Sequence, residues 1–196
     1  MTVTLPDVEL RPRSMVELRS VAGDMTVHWA ERTIELVAMP YDQDAAVVVH
    51  GRAVVESCAP FAFDGLERRA NRVKVNRDHD YQRTVGRATA FYPERPEGLV
   101  ARLRIAPKLA LGDETLALAA DGALEASVGF AVMPGGERWL EGRSRRRLER
   151  LFLDHIALVP EGAYDAQVLD VRAASPPVGE RPLTPNLDGV LAWFRR

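Results

Sequence analysis

Val85-Gly86-Arg87-Ala88-Thr89-Ala90-Phe91-Tyr92 and Gly98-Leu99-Val100-Ala101-Arg102-Leu103-Arg104-Ile105 flank the short link Pro93-Glu94-Arg95-Pro96-Glu97. Both runs alternate apolar and polar residues and are rich in strand formers, and two prolines punctuate the link, so the stretch predicts a β-hairpin. It sets the class, mainly β. Upstream, Val73-Lys74-Val75-Asn76 alternates as a half-buried strand and delivers His79 just beyond its end. Val47 to Glu56 predicts two short strands bent at Gly51, and Thr26–Ala30 and Arg32–Ala38 predict two more, the second ending in a turn over Met39–Asp42. Gly65–Ala70 predicts a short helix, and the spacing of Leu111, Thr115, Leu118 and Ala119 predicts another between Leu109 and Gly122. Leu124–Val132 is a strand carrying Ser127 and ending at Pro134-Gly135-Gly136. Arg146–Val159 is one long strand that Pro160 stops.

The 196 residues suffice for one domain with its own core. We expect an N-terminal arm or edge segment over 1–24, a domain over 25–172, and a Pro-rich linker with an amphipathic tail over 173–196, which contains Ser175-Pro176-Pro177 and Trp193-Phe194. Hydrophobic residues make up 46% and charged ones 28%, a globular profile. The net charge of −2 supplies no global basic field, so no nucleic-acid partner is expected. The one dense basic run, Arg143-Ser144-Arg145-Arg146-Arg147, reads as a solvated loop or edge strand. No stretch approaches the ~20 apolar residues of a membrane helix, and no signal sequence is evident, so no membrane is expected. A lone Cys58 excludes an internal disulfide and suits a reducing cytoplasm.

Three segments carry chemistry: Asn76-Arg77-Asp78-His79-Asp80, Ala126-Ser127-Val128-Gly129-Phe130 and Leu151-Phe152-Leu153-Asp154-His155-Ile156. Together they offer a hydroxyl, an imidazole and a carboxylate, the parts that make a serine acylatable at neutral pH. His79, in a polar strand-end loop, is the candidate base and Ser127 the candidate nucleophile. Gly129, two residues on, would let a substrate or a neighbouring backbone come close. Strand alternation sends Asp154 and His155 to opposite faces, so only one should face a shared site; Asp154 is the expected third member and His155 the runner-up. His28 and His50 sit in β-rich runs and suggest hydrogen-bonded structural roles. Asp78, His79 and Asp80 could begin a metal site, but without a spaced partner no metal is expected. No phosphate or dinucleotide fingerprint is present, so no cofactor is expected either.

In order along the chain these segments resemble the prohead proteases of tailed bacteriophages, serine proteases related in fold to herpesvirus assemblins. The likeness spans about Thr33 to Arg172. It includes Leu36-Val37-Ala38-Met39-Pro40-Tyr41; Glu56-Ser57-Cys58-Ala59-Pro60-Phe61-Ala62-Phe63, with Phe61 where the family has glycine; the N-H-D-like segment at Asn76–Asp80; and Gly86-Arg87 with Gly98-Leu99 in the hairpin. Ser127-Val128-Gly129-Phe130 is similar to the S-x-G-F nucleophile segment. Leu153–Pro160 is similar to L-x-E-[VI]-S-L-V-x-x-P, read with Asp154 at the glutamate; Gly162-Ala163-Tyr164 fits P-A-Y loosely. The resemblance implies an α+β, mainly β fold, a small β-barrel flanked by short helices. It implies a serine endopeptidase with His79, Ser127 and Asp154 as its triad, cleaving scaffold and segments of the major capsid protein, and often itself, inside the immature capsid in the host cytoplasm. A homodimer follows by analogy with assemblins, and a histidine third member, as in the herpesvirus enzymes, would point to His155. Two other readings stand beside it: a non-proteolytic capsid-assembly or scaffolding factor on the same fold, and a barrel that binds a small ligand in a hollow interior.

Overall fold

A computed structural model describes residues 16–21, 23 and 25–160. The expected linker and tail over 173–196, and Ala163-Tyr164, lie outside the described residues. Among the described residues twelve strands run in order: β1 Glu17–Val21, β2 Thr26–His28, β3 Thr33–Pro40, β4 Ala45–Val49, β5 Arg52–Cys58, β6 Lys74–Arg77, β7 Asp80–Tyr92, β8 Gly98–Ile105, β9 Leu124–Val132, β10 Glu137–Leu140, β11 Arg145–Leu148 and β12 Leu151–Pro160. A 3₁₀ helix, Leu66–Arg72, precedes β6, and helix α1, Ala110–Ala120, links β8 to β9.

The strands form an eight-stranded sheet in the order β1-β9-β12-β6-β7-β8-β3-β2 and a four-stranded sheet in the order β10-β11-β5-β4. β3 packs across the interior against β1 and β9, so the large sheet curls into a half-barrel. Among the described residues its ladder stays open, with β1 and β2 as edges, so the small β-barrel expected is seen as a curled half-barrel. The interior is filled. Ile34, Val75, Leu103, Leu116, Phe130, Leu153, Ile156 and Leu158 are each 0% exposed. The central strands β9 and β12 are apolar on both faces over most of their length, as strands covered on both sides must be. The predicted hairpin is β7–β8, and Gly98 at its turn has φ +146° with its α-carbon against the Met39 carbonyl, a place no side chain fits.

Two expectations are corrected. The single strand read over Arg146–Val159 is two strands in different sheets. The Glu149 and Arg150 N–H groups both donate to the Gly136 carbonyl (2.7 and 3.0 Å), and the chain steps across there. Only the start of the arginine run, Arg143-Ser144, is an exposed turn; Arg145–Arg147 belong to β11, which lies between β10 and β5 and is not an edge. Alternation turns Arg146 inward, 3% exposed, onto Glu17, Glu56 and Glu137, while Arg145 and Arg147 pair outside with Asp44 and Asp42. In the segment expected as an arm or edge segment, Glu17–Val21 forms the edge strand beside the Ser127 strand, with Ser20 opposite Ser127.

Candidate active site

His79 owes its position to a tight turn. Arg77 pairs with Asp80 across the β6–β7 hairpin, leaving Asp78 and His79 as its two central residues, at φ 56° and 57°. A two-residue turn with both φ values positive favours glycine at its second position, and a histidine there costs on the order of 1 kcal/mol. Asp78, held by an ion pair to Arg83, is the easier half. The strained residue is the one with the useful side chain.

Ser127 and His155 come from adjacent strands. β9 and β12 pair antiparallel with Ala157 opposite Ser127, but the register jumps: Leu153 faces Phe130 and His155 faces Gly129, so Asp154 has no partner in β9. This β-bulge at Asp154 shifts the strand upstream of His155, while His155 to Pro160 keep regular register with β9. The expectation that Asp154 and His155 diverge assumed an unbroken strand. Instead both reach the same cluster, and His155, not Asp154, meets His79. His79 Nδ1 lies 2.7 Å from His155 Nε2, and His79 Nε2 lies 2.7 Å from Ser127 Oγ. Asp154 stands one step further back, its Oδ2 2.9 Å from His155 Nδ1. Tyr81, which the sequence reading did not single out, donates its hydroxyl to the same oxygen at 2.7 Å and lies 3.2 Å from His155 Nδ1. Its signal was its place two residues after His79 on the emerging strand.

Gly129 is where the ring of His155 rests; a Cβ there would collide with three of its atoms. The glycine therefore admits an imidazole rather than a substrate or a backbone. His28 lies in edge strand β2 and His50 in the β4–β5 turn. Among the described residues no group of three His, Cys, Asp or Glu side chains could hold a metal ion, and no helix is long and apolar enough to cross a membrane.

For His79 Nε2 to accept the Ser127 proton, its Nδ1 must carry hydrogen and donate to His155 Nε2. His155 then carries its own hydrogen on Nδ1, facing Asp154. Burial, with a smaller contribution from His155, pushes the His79 pKa down to about 4. The ring is then neutral, and able to accept a proton, through the whole range above that value. With His79 as general base, the acid limb of kcat/KM should fall near pH 4 rather than near 6.5, measured as reaction rate from pH 3 to 8. Stability follows the same group: between pH 6.5 and 4 the unfolded chain binds a proton the folded one refuses, so about 3 kcal/mol at most is lost as pH falls through that window. A limb at 6.5 would mean the ring is not desolvated.

A profile of the caudovirus prohead serine protease family matches residues 30–177, most of the chain, including all three segments. The chain belongs to the caudovirus prohead serine protease family. This prohead protease is thus a bacteriophage capsid-maturation enzyme of the serine type. No curated protein matches it. Among solved structures, the bacteriophage T4 capsid assembly protease is 9% identical, with 74% of this chain and 95% of that one covered and a TM-score of 0.49.

Ser127 is 1% exposed and His155 2%. In the tautomer that leaves His79 Nε2 without hydrogen, the hydroxyl of the prohead protease's Ser127 sits between two acceptors, that nitrogen and the Arg19 carbonyl of β1, the latter at 3.2 Å. One proton cannot serve both.

Proposed function

We propose that this protease cleaves peptide bonds through an acyl-enzyme on Ser127, with His79 as general base and His155 as the third member, backed by Asp154. Ser127 Oγ attacks the scissile carbonyl carbon while His79 Nε2 takes its proton; the imidazolium returns that proton to the departing amine, and water then repeats the sequence to release the acyl group. His155 Nε2 accepts from His79 Nδ1–H throughout, which fixes the tautomer. A neutral imidazole stabilises the imidazolium less than a carboxylate would, and Asp154, accepting from the far side of His155, supplies the missing negative charge at one remove. The continuous chain of contacts from Ser127 to Asp154, two of 2.7 Å and one of 2.9 Å, carries this reading.

The substrates in this reading are scaffold and segments of the capsid protein, met inside the immature capsid in the host cytoplasm, on an assemblin-like arrangement of the sheet. A scissile carbonyl reaches the buried Oγ only when a neighbouring segment gives way. We take that segment to be β1: it is an edge strand, its Arg19 carbonyl competes for the Ser127 proton, and its departure would free the backbone edge of β9 to pair with an extended peptide.

Co-expression with the capsid protein tests the mechanism. Ser127→Ala should reduce its cleavage by several orders of magnitude, as loss of a serine nucleophile does in unrelated hydrolases. Cleavage at the wild-type rate would refute the role of Ser127, and a capsid protein left full length by the wild-type chain would favour the non-proteolytic assembly factor.

A further inference from the structure

The shape of β12 at Asp154 is not explained by its neighbours in the sheet. Consecutive residues of β9 face Leu153 and His155 and pass over Asp154, and β6 starts only at Lys74, opposite His155. Upstream of His155, β12 has therefore left the β6 ladder, and the Leu153 carbonyl is taken by a side chain: Arg69 Nη2 donates to it at 3.1 Å. The same guanidinium lies over the Phe152 ring, 4.2 Å from its centroid. Burial pulls the Arg69 pKa down, and the charge of Asp154 works against that pull, which places the carboxylate within electrostatic reach. One cation thus engages Phe152 and Leu153 in succession. Its own backbone departs from helical values (φ −128°, ψ 20°) and breaks the 3₁₀ helix at that residue.

We infer that Arg69 is a positioning residue that clamps the β12 bulge and so sets the His155 ring against His79. The inference rests on the Ser127–His79–His155 reading. His155–Leu158 are held by both β9 and β6, so a strand freed of its bulge recovers regular alternation by a one-residue shift of the Leu151–Asp154 side, which would bring Asp154 opposite Phe130, turn its carboxylate away from His155 Nδ1 and release the His155 ring from the bond that orients it toward His79. The clamp opposes that shift, and a guanidinium suits the task because its flat face covers an aromatic ring while its edge donates to a carbonyl. A lysine could do only one of these.

The test uses the full chain and two readouts. The imidazole N–H protons, followed by NMR, report the His79–His155 hydrogen bond without any substrate, as a resonance far downfield. Cleavage of the co-expressed capsid protein reports catalysis. Arg69→Ala, shown to be folded by its amide spectrum, should lose or strongly shift that resonance and cleave roughly tenfold to a hundredfold more slowly, the usual penalty for a catalytic group displaced by about an ångström. An unchanged resonance and a cleavage rate within about twofold of wild type would overturn the clamp. Should Arg69→Ala not fold, Phe152→Leu, which removes the stacking surface but keeps an apolar side chain, should shift the resonance and slow cleavage to a lesser degree; wild-type values for both would overturn it equally. Failure of the underlying reading looks different: His155→Ala would then cleave normally, whatever the Arg69 variants do.

Discussion

His155→Ala should slow capsid-protein cleavage by about 10³ to 10⁴-fold, while Asp154→Asn should cost only about tenfold to a hundredfold. The ranking follows from which side chain touches His79. His155 Nε2 is the acceptor 2.7 Å from His79 Nδ1, and without it the ring of His79 is free to rotate or to present the wrong nitrogen to Ser127. Asp154 acts through His155, at 2.9 Å, and Tyr81 stays on the same His155 nitrogen at 3.2 Å when the carboxylate is neutralised. Rates from the two variants, each corrected for the folded fraction, decide the order. A larger loss for Asp154→Asn would restore the carboxylate as direct partner and refute the arrangement in which histidine is the third member.

Arg146→Ala should destabilise the fold by about 3–5 kcal/mol, a large share of the 5–15 kcal/mol that holds a domain together. Arg146 and Arg19, both under 9% exposed, meet the carboxylates of Glu17, Glu56 and Glu137. Burial disfavours the Arg146 cation, and Glu17, Glu56 and Glu137 outweigh it, so its pKa is raised. Deleting this cation leaves Glu56, 3% exposed, with Arg19 as its one remaining cation among these contacts, and removes the bonds from Glu17 of β1 to β11. Arg147→Ala is the control: its partner Asp42 is exposed at 55% and the pair should be worth less than about 1 kcal/mol. Urea unfolding of both variants checks the contrast, and similar midpoints would show that the buried network is dispensable.

Much of the framework was readable locally. The β7–β8 hairpin, the bend at Gly51 and the helix between β8 and β9 each follow from a few neighbouring residues, because turn chemistry and period depend on short-range contacts. The long run after Arg145 was misread because β-propensity does not tell which sheet a strand joins; a hydrogen bond to Gly136, thirteen residues away from Glu149, makes the break. Arg146 was taken as solvated because two of its three carboxylates, Glu17 and Glu56, are distant in sequence. That His155 rather than Asp154 contacts His79 was not legible for two reasons. Alternation was assumed through a bulge that only pairing with β9 reveals. The motif was also laid one residue early: counted back from Leu158-Val159, the glutamate position of L-x-E-[VI]-S-L-V falls on His155.

The order of residues alone determined which groups were available, the strand-rich class, the histidine at a strand end and the serine two residues before a glycine, since all of these are properties of short segments. Tertiary structure alone decided that Asp154 and His155 share one cluster, that His155 is the one to meet His79, and that Ser127 lies closed beside β1. Those outcomes depend on register between strands, and register is set by pairing energies summed over partners that no local stretch contains.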